Sequence, residues 1–257
     1  MVVQPPKKVA CTPIDGGPAG ALEGPGRLAL AGLIAAAAAV FPLRDGHAQT
    51  WGGTVSLVSE RISRGLSLSD GHPGATADLF YRDDRNWALG LGLGTMNPDQ
   101  GPKAEAIVSA TRWWQVDDHH TVTLSGAYYD YLGGEGTSRL RYSEVSLGGL
   151  WDGGRWGQWG GTVSLSPDLG ASTAWGYLGH RGATIVELTW HRRIAGAVAA
   201  DLGWGIVSNW GGGDTGSYRS ANAGLSYTAG AWRFTVSRLY SSVPKKQRWV
   251  AGGGWSF

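Results

Sequence analysis

The sequence predicts an all-β fold, namely a transmembrane antiparallel β-barrel of about twelve strands with short turns at one rim and longer loops at the other. Three observations predict it: apolar residues alternate with small or polar ones after residue 49, short and long connections alternate, and tryptophans gather near the short ones. Only 16% of the residues are charged, whereas 43 are glycine and 14 are tryptophan. This composition differs strongly from that of an ordinary cytosolic enzyme.

The alternation is clearest in three segments. In AVAADLGWGIVS, Val198, Leu202 and Trp204 share one face, whereas Asp201 and Gly203 share the other. NWALGLGLG and AWRFTVS have the same period of two, which is the side-chain repeat of a β-strand. The pattern predicts strands at 54–68, 74–82, 86–95, 104–116, 120–132, 139–151, 157–167, 182–192, 197–208, 217–228, 231–241 and 247–257.

The connections between the predicted strands fall into two classes. Those that follow even-numbered strands are short: RDDR, VDDH, DGGRW, RRIAG and TAGA. Those that follow odd-numbered strands are longer: SDGHP, TMNPDQGPK, LGGEGTSR, PDLGASTAWGYLGHRG, NWGGGDTGS and SSVPKKQ. This asymmetry is typical of outer-membrane barrels, which have tight periplasmic turns and longer outer loops.

Strand length and tryptophan positions agree with a membrane span. Ten residues rise roughly 33 Å, and a tilt near 45° reduces this to about 23 Å, close to the apolar band of such barrels. Tryptophans expected at headgroup depth are Trp87, Trp113, Trp114, Trp151, Trp156, Trp159, Trp190, Trp232 and Trp255. A soluble β-sandwich is the alternative, but it needs bulky residues on the second face, which here carries Gly, Ser, Thr and isolated charges.

The final strand, QRWVAGGGWSF, ends on an aromatic residue. In a closed barrel this strand pairs with the first one, because lipid cannot satisfy free backbone N–H and C=O groups. Trp249, Trp255 and Phe257 are therefore predicted to face lipid, and Arg248 the lumen. A terminal aromatic on an alternating strand resembles the signal that the barrel-assembly machinery reads in the outer membrane of Gram-negative bacteria.

Residues 1–48 are predicted to be a leader that ends in a secretory signal peptide, and residues 49–257 a single barrel domain. Arg27 precedes a mostly apolar run, and GHA supplies a small residue before Gln49. A transmembrane anchor is the alternative, although Pro42 interrupts the short, Ala-rich run. Because Cys11, the only cysteine, lies in this leader, no disulfide or thiolate metal site is expected in the mature chain.

The mature N-terminus, TVSLVSERISRGLSLSDGHPGATADLFY, resembles the opening of the TorF-like porin family. That family begins with a strand, an Arg-Gly pair and a polar turn ending in Pro; here the pair is Arg64-Gly65 and the turn is SDGHP. YYDYLG and YSEVSLGGLW resemble its aromatic strand and the acidic-aromatic strand that follows. The resemblance covers most of residues 50–257 and implies an outer-membrane barrel, although Glu60-Arg61 departs from the aromatic-rich approach to the pair.

Lumen-facing ionisable groups are the candidate functional residues, because a charge facing lipid costs roughly 2–4 kcal/mol at mid-depth. Residue parity assigns Glu60, Arg64, Asp78, Glu144, Glu187, His191, Asp201, Arg233 and Arg248 to the lumen. Around an open water path the acidic members would favour cations. Alternatively, they pair with Arg64, Arg141, Arg233 and Arg248 into a network that plugs a narrow lumen.

The sequence favours a passive outer-membrane channel for small hydrophilic solutes, with the loop around ASTAWGYLGH as its constriction or lid. The first alternative is a closed barrel for envelope or surface-polysaccharide assembly, whose loops WGYLGH and NWGGGDTG bind a partner. A lipid-hydrolysing barrel is a weaker alternative, because no mature-chain histidine (His72, His119, His120, His180 or His191) lies in a convincing His-Ser motif.

No catalytic residue, cofactor or metal site is predicted. Glu187 and His191 share a strand face but stand about 13 Å apart, too far for one ion. The Lys and Arg residues are scattered, which gives a nucleic-acid surface no support. The oligomeric state stays open.

Overall fold

The computed structural model describes residues 50–96, 101–134, 141–167, 182–210, 216–243 and 245–257. In these ranges twelve antiparallel strands form a closed barrel, and a two-stranded hairpin forms a separate small sheet. The predicted fold class is therefore confirmed. The predicted leader at residues 1–48 lies outside the described residues. Within the described ranges, no helix is both long and apolar enough to cross a membrane.

The strands follow one another around the barrel in sequence order, and the first pairs with the last. The barrel strands are β1 (Thr50–Val58), β4 (Gly74–Arg82), β5 (Trp87–Thr95), β6 (Ala104–Gln115), β7 (His120–Leu132), β8 (Tyr142–Asp152), β9 (Gln158–Ser166), β10 (Gly182–Ala195), β11 (Val198–Trp210), β12 (Ser217–Ala229), β13 (Trp232–Ser242) and β14 (Lys245–Ser256). The small hairpin consists of β2 (Ile62–Ser63) and β3 (Leu66–Ser67) and lies between β1 and β4.

The turns at residues 83–86, 116–119, 153–157, 196–197 and 230–231 define the short-turn rim, and the opposite end is the long-loop rim. One predicted long loop is wrong: SSVPKKQ is mostly strand, because β13 continues to Ser242 and β14 begins at Lys245. The hydrogen-bonded pairing of β13 with β14 continues through the polar Lys245, Lys246 and Gln247, whose side chains alternate between the two faces of the sheet.

The two faces of the sheet differ in side-chain size and polarity. Large apolar side chains on the outer face are exposed in the isolated barrel, among them Leu89, Leu147, Val163, Leu188, Leu202, Leu225 and Phe234. The inner face carries mostly Gly, Ser and Thr along β5, β9 and β12. Because lipid provides the apolar contact that water does not, the outer face suits acyl chains.

The seam between β1 and β14 closes the barrel. Thr54 lies opposite Ser256, and the pairing continues to Val58 opposite Gly252. At its end, the Gly53 N–H donates to the Phe257 carbonyl and the Phe257 N–H to the Gly53 carbonyl, both at 3.0 Å. The terminal aromatic residue is thus held by the first strand.

Candidate functional site

Residues 59–73, here called the inward segment, connect β1 to β4 and fill part of the lumen. The prediction of one strand over 54–68 is wrong here, because β1 ends at Val58 and the chain then forms the β2–β3 hairpin. Arg64 and Gly65 make its two-residue turn with φ values of +50° and +83°. Two consecutive positive φ values are characteristic of a type I′ turn, which joins strands tightly.

Apolar contacts hold the inward segment against two parts of the wall. Leu66 packs on a cluster formed by Ala183, Ile185, Val207 and Tyr218. Leu68, which is only 3% exposed, packs with Met96 and Tyr131 on the other side. The inward segment therefore contacts both the β10–β12 wall and the region of Met96 and Tyr131, which a free surface loop would not do.

Ion pairs attach the inward segment at three further points. Arg61 pairs with Glu105 on β6. Arg64 Nη2 donates to both carboxylate oxygens of Glu144 on β8 at 2.8 Å. These two arginines therefore connect the inward segment to β6 and β8, where Glu105 and Glu144 are only 4% and 5% exposed.

The third ion pair joins Glu60 to Arg248 on β14. Glu60 Oε1 also accepts hydrogen bonds from Ser67 Oγ at 2.5 Å and from the Gly71 N–H at 3.1 Å. One buried carboxylate thus organises the segment and ties it to the closing strand. Charge-assisted bonds of this kind are stronger than neutral ones, and their geometry fixes the segment in place.

Arg64 lies at the centre of this network. Burial acts against its charged form, but the adjacent Glu144 carboxylate raises the pKa of the Arg64 guanidinium above its ordinary value. A second carboxylate, Glu187 on β10, lies 3.8 Å from Arg64 Nε. The Glu187 side chain remains 40% exposed, so it also faces solvent in the lumen.

A second polar cluster occupies the short-turn half of the lumen. Asp201 Oδ1 lies 2.7 Å from His191 Nδ1 and accepts a 3.0 Å hydrogen bond from Arg233 Nη2. Ser226 Oγ donates to Asp201 Oδ2 at 2.7 Å. The side chains of His191 and Arg233 are 43% and 50% exposed, which shows that this half of the lumen is open to water.

A cavity of about 230 Å³ lies beside this cluster. Its lining includes Leu150, Gln158, Thr189, His191, Asp201 and Asn222. The polar members of this lining present hydroxyl, amide, imidazole and carboxylate atoms to the same space. The cavity can therefore accommodate hydrated or hydroxyl-bearing solutes.

The register between β10 and β11 brings His191 and Asp201 together. Counting from Ala195 opposite Val198 would place His191 opposite Leu202, but the register shifts by one between Arg193 and Ala195. This irregularity puts His191 directly opposite Asp201. Sequence parity placed both residues on inward faces, but it contained no signal for the bulge and therefore none for the pair.

The other predicted lumen residues lie at different heights. Asp78 on β4 is opposite Thr54 and Gly92, and it has no ion-pair partner within 4.0 Å among the described residues. Glu60 and Arg64 belong to the inward segment rather than to a strand. Glu144, Glu187, Asp201, Arg233 and Arg248 all lie on barrel strands.

Two predicted placements are wrong. Arg141 does not join the lumen network; it precedes β8 and its Nε donates to Asp130 at 2.8 Å, on the outward side of β7. Trp113 lies opposite Thr123 on the inward face, where Arg82 stacks on its ring. Trp113 and Trp114 are consecutive residues of β6 and therefore point to opposite faces, so only one of them can face lipid. Arg141 lies outside the strand ladder and contacts β7 instead of the lumen.

Sequence reasoning also missed Arg61 and Glu105 as site residues. Glu105 shares a strand face with the polar Ser109 and Thr111, and this pattern could have indicated that it faces the lumen. Ile107 and Trp113 on the same face obscure the alternation. Arg61 gave no strand-parity signal because its segment is not a barrel strand. The predicted lid around ASTAWGYLGH lies outside the described residues.

His191, Asp201 and Ser226 lie together in the lumen but lack the geometry of a catalytic group. Ser226 donates to Asp201 rather than to His191, so these three residues do not form a nucleophile–base pair. Across the described ranges, no group of three or more His, Cys, Asp or Glu residues is arranged to hold a metal ion.

Comparison with known proteins relates the chain to porins by structure alone. No protein-family model matches the sequence, and no curated protein is significantly similar to it. The solved structure of NanC porin matches with a TM-score of 0.57 and 10% identity, covering 80% of this chain and 99% of NanC.

KdgM porin matches with a TM-score of 0.54 and 12% identity, covering 80% of this chain and 99% of KdgM. A structure of KdgM in complex with disordered oligogalacturonate also matches, with a TM-score of 0.53 and 10% identity. At these identities the likeness concerns the fold. The chain therefore has a porin-like fold, a closed antiparallel barrel similar to those of KdgM and NanC.

Proposed function

We propose that this protein is a non-enzymatic channel of the bacterial outer membrane, through which small hydrophilic solutes diffuse passively. The observation that supports this proposal most directly is that the two halves of the lumen differ in how open they are. His191 and Arg233 in the short-turn half are exposed to water, whereas the inward segment narrows the other half through Arg61, Arg64 and Glu60. A polar path with one narrow region is expected to pass small solutes and exclude large ones.

Planar-bilayer recording of the refolded protein tests this proposal. We compare it with a variant in which residues 59–73 are replaced by a short hairpin turn, which the direct pairing of Val58 with Gly74 permits. We expect small conductance steps from the native chain and larger ones from the variant. Steps of equal size would refute the restriction by the inward segment, and the absence of steps from both proteins would refute the channel.

The proposal also includes a preference of the channel for cations over anions. Arg61, Arg64 and Arg248 are matched by Glu105, Glu144 and Glu60. Glu187 lies 3.8 Å from Arg64 Nε, but its side chain is 40% exposed, and Asp78 has no ion-pair partner within 4.0 Å among the described residues. Water-exposed carboxylates near a constriction raise the local cation concentration and lower that of anions.

Reversal potentials in a KCl gradient test the preference. We expect a cation-selective potential that decreases in Glu187→Gln and Asp78→Asn. Asp130→Asn is the matched control, because Asp130 lies on the outward side and pairs with Arg141. An anion-selective native channel, or an equal change in the control, would contradict cation selection by these carboxylates.

A closed barrel that serves envelope or surface-polysaccharide assembly is the second candidate. The inward segment favours it, because Leu66, Leu68 and three ion pairs attach that segment to several parts of the wall. Conductance from the loop-replacement variant combined with none from the native chain would support this candidate and refute the passive channel. The predicted partner loops WGYLGH and NWGGGDTG include residues outside the described ranges.

The proposal includes Gram-negative localisation and recognition by the barrel-assembly machinery. Trp249, Trp255 and Phe257 lie on the same face of the final segment, and the Trp255 and Phe257 rings stack with centroids 5.0 Å apart. Deletion of Phe257 is expected to reduce the heat-modifiable form in outer membranes, with Ser256→Ala as the control. Equal assembly of both variants would contradict the proposed signal.

The TorF-like resemblance also belongs to this proposal, since its Arg64-Gly65 pair forms the lumen hairpin turn. If the pair marks the family, its members are expected to place the same hairpin inside their barrels. Structures of two such members would test this: an Arg-Gly pair outside the lumen would contradict the relation.

A further inference from the structure

An aromatic groove lies on the outside of the barrel at the short-turn rim. Its volume is about 500 Å³, and its lining consists of Trp151, Trp156, Trp159, Trp190, Arg192 and Leu202. The strand residues that line it have outward parity, so the groove opens on the face of the sheet opposite to His191 and Asp201. It is therefore not part of the proposed solute path.

Strand register builds the floor of this groove. Trp159 on β9 lies directly opposite Trp151 on β8 and Trp190 on β10. Leu202 on β11 continues the row opposite Trp190. The Trp159 and Trp190 ring centroids are 6.1 Å apart at an interplanar angle of 52°, so the rings form a broad apolar surface.

The turn between β8 and β9 builds one side of the groove. Gly154–Trp156 forms a short 3₁₀ turn, and the Trp156 carbonyl accepts a 2.8 Å hydrogen bond from Trp190 Nε1. Gly157 has φ +87°, and a Cβ there would meet the His191 carbonyl at 2.5 Å. Glycine thus lets the turn approach β10 closely and hold the 58% exposed Trp156 beside the row.

Two guanidinium groups accompany the aromatic surface. Arg192 lines the groove directly. The Arg155 guanidinium carbon lies 4.9 Å from the Trp156 ring centroid. Neither arginine has a carboxylate within 4.0 Å in the described parts of the chain. The groove therefore combines an apolar floor with positive charge that is not neutralised by a neighbouring acidic group.

We propose that this groove binds an anionic phospholipid of the leaflet at the short-turn rim, with the phosphate at Arg192 and Arg155 and an acyl chain along the tryptophan row. The chemistry is complementary: guanidinium groups donate to phosphate oxygens, and indole rings favour the region between headgroups and acyl chains. The site lies on the surface that the fold presents to lipid. This proposal does not depend on conduction through the lumen.

Native mass spectrometry of the detergent-purified full chain tests the proposal. Phosphatidylglycerol is titrated against phosphatidylcholine with identical acyl chains, and we expect preferential retention of one phosphatidylglycerol molecule. Arg192→Gln is expected to weaken its binding about tenfold, since a hydrogen bond to a charged group contributes about that factor. Arg155→Gln, in the exposed turn, should also weaken binding and provides a second variant.

Arg219→Gln is the matched control, because Arg219 is an outward arginine near the long-loop rim and should leave lipid binding unchanged. Heat-modifiable migration verifies that each variant is folded. Equal affinity for the two lipids, or equal weakening by Arg219→Gln, would overturn the proposal. A dimer that Trp156→Ala dissociates, without a retained lipid, would assign the groove to a second copy of this chain and also overturn it.

Discussion

At the residue scale, the Arg64-Gly65 turn connects backbone conformation with lumen electrostatics. A type I′ turn favours Asn-Gly, and an arginine at φ +50° is unusual. Here the two hydrogen bonds from Arg64 to Glu144 offset the unfavourable conformation. The turn therefore depends on tertiary contacts rather than on local preference alone.

Gly65→Ala is predicted to destabilise the inward segment more than Gly71→Ala. Both glycines have φ near +80°, but only a Cβ at Gly65 meets Ser220, at 2.6 Å, whereas nothing lies within 4 Å of one at Gly71. The positive φ should cost about 1–2 kcal/mol at each site, and crowding should add about 1–3 kcal/mol at Gly65. Hydrogen exchange of the Leu68 amide measures the free energy of opening of the inward segment. If Gly65→Ala and Gly71→Ala lower that free energy equally, the close contact between residue 65 and Ser220 is refuted.

Arg64→Asn is predicted to loosen the segment even though asparagine suits the turn. It leaves the Glu144 carboxylate, 5% exposed, without its arginine, and breaking a buried pair costs about 3–5 kcal/mol. Glu144→Gln in the same chain should restore part of the loss, with a coupling energy of about 0.5–3 kcal/mol. The same Leu68 exchange measurement tests this, and strictly additive effects would show that the two residues are not coupled.

At the element scale, the β2–β3 hairpin cannot be stable by itself, since each strand has only two residues. The barrel wall supplies its apolar contacts and counter-charges. By contrast, the β6–β7 turn is organised by its own residues. Asp117 Oδ1 accepts hydrogen bonds from the His119 and His120 N–H groups, each at 2.8 Å.

These hydrogen bonds give the β6–β7 turn a predicted pH dependence. The backbone bond from His119, followed by the side-chain bond from His120, lowers the pKa of Asp117 below its usual value. Asp117 therefore stabilises the fold above its unfolded-state pKa of about 3.9, and this contribution disappears as pH falls through the lower folded-state pKa. Urea unfolding should show Asp117→Asn less stable than the native chain at pH 7, and the difference in unfolding free energy should shrink as the pH falls below about 3.9. A difference that stays constant with pH would contradict this.

At the scale of the whole molecule, closure depends on a seam between distant ends of the sequence. Thr54 and Ser256 lie opposite each other with their side-chain oxygens 3.2 Å apart. Closure also satisfies the backbone edges that lipid would leave without partners. The membrane span and the enclosed lumen are therefore properties of the complete barrel.

A disulfide across the seam is predicted to form in Thr54→Cys/Ser256→Cys, made in a Cys11→Ser background. Directly opposite residues in an antiparallel pair approach closely enough for a disulfide. Oxidised protein should keep its compact gel migration to a higher temperature than reduced protein. Thr54→Cys/Thr162→Cys is the control, since β9 lies six strands from β1 and should form no intramolecular bond. A missing seam disulfide would contradict closure.

The sequence alone predicted much of the architecture because a period of two assigns strand faces locally. This is why Glu144, Glu187 and Asp201 were placed on inward faces before their partners were known. The bulge beside Ile194 and the hairpin at residues 62–67 interrupt that period, so the His191–Asp201 and Arg61–Glu105 pairs were not predicted. Their functional roles remain proposals.

By itself, the sequence determined a barrel of about twelve strands with an apolar outer surface and a small, polar inner one, because those features repeat along the chain. Only the tertiary structure decided that residues 59–73 enter the lumen and which charges meet there. Closing the cylinder brings side chains far apart in sequence within a few ångströms. Alternation specifies which face a residue occupies, but not which distant strand stands across the lumen.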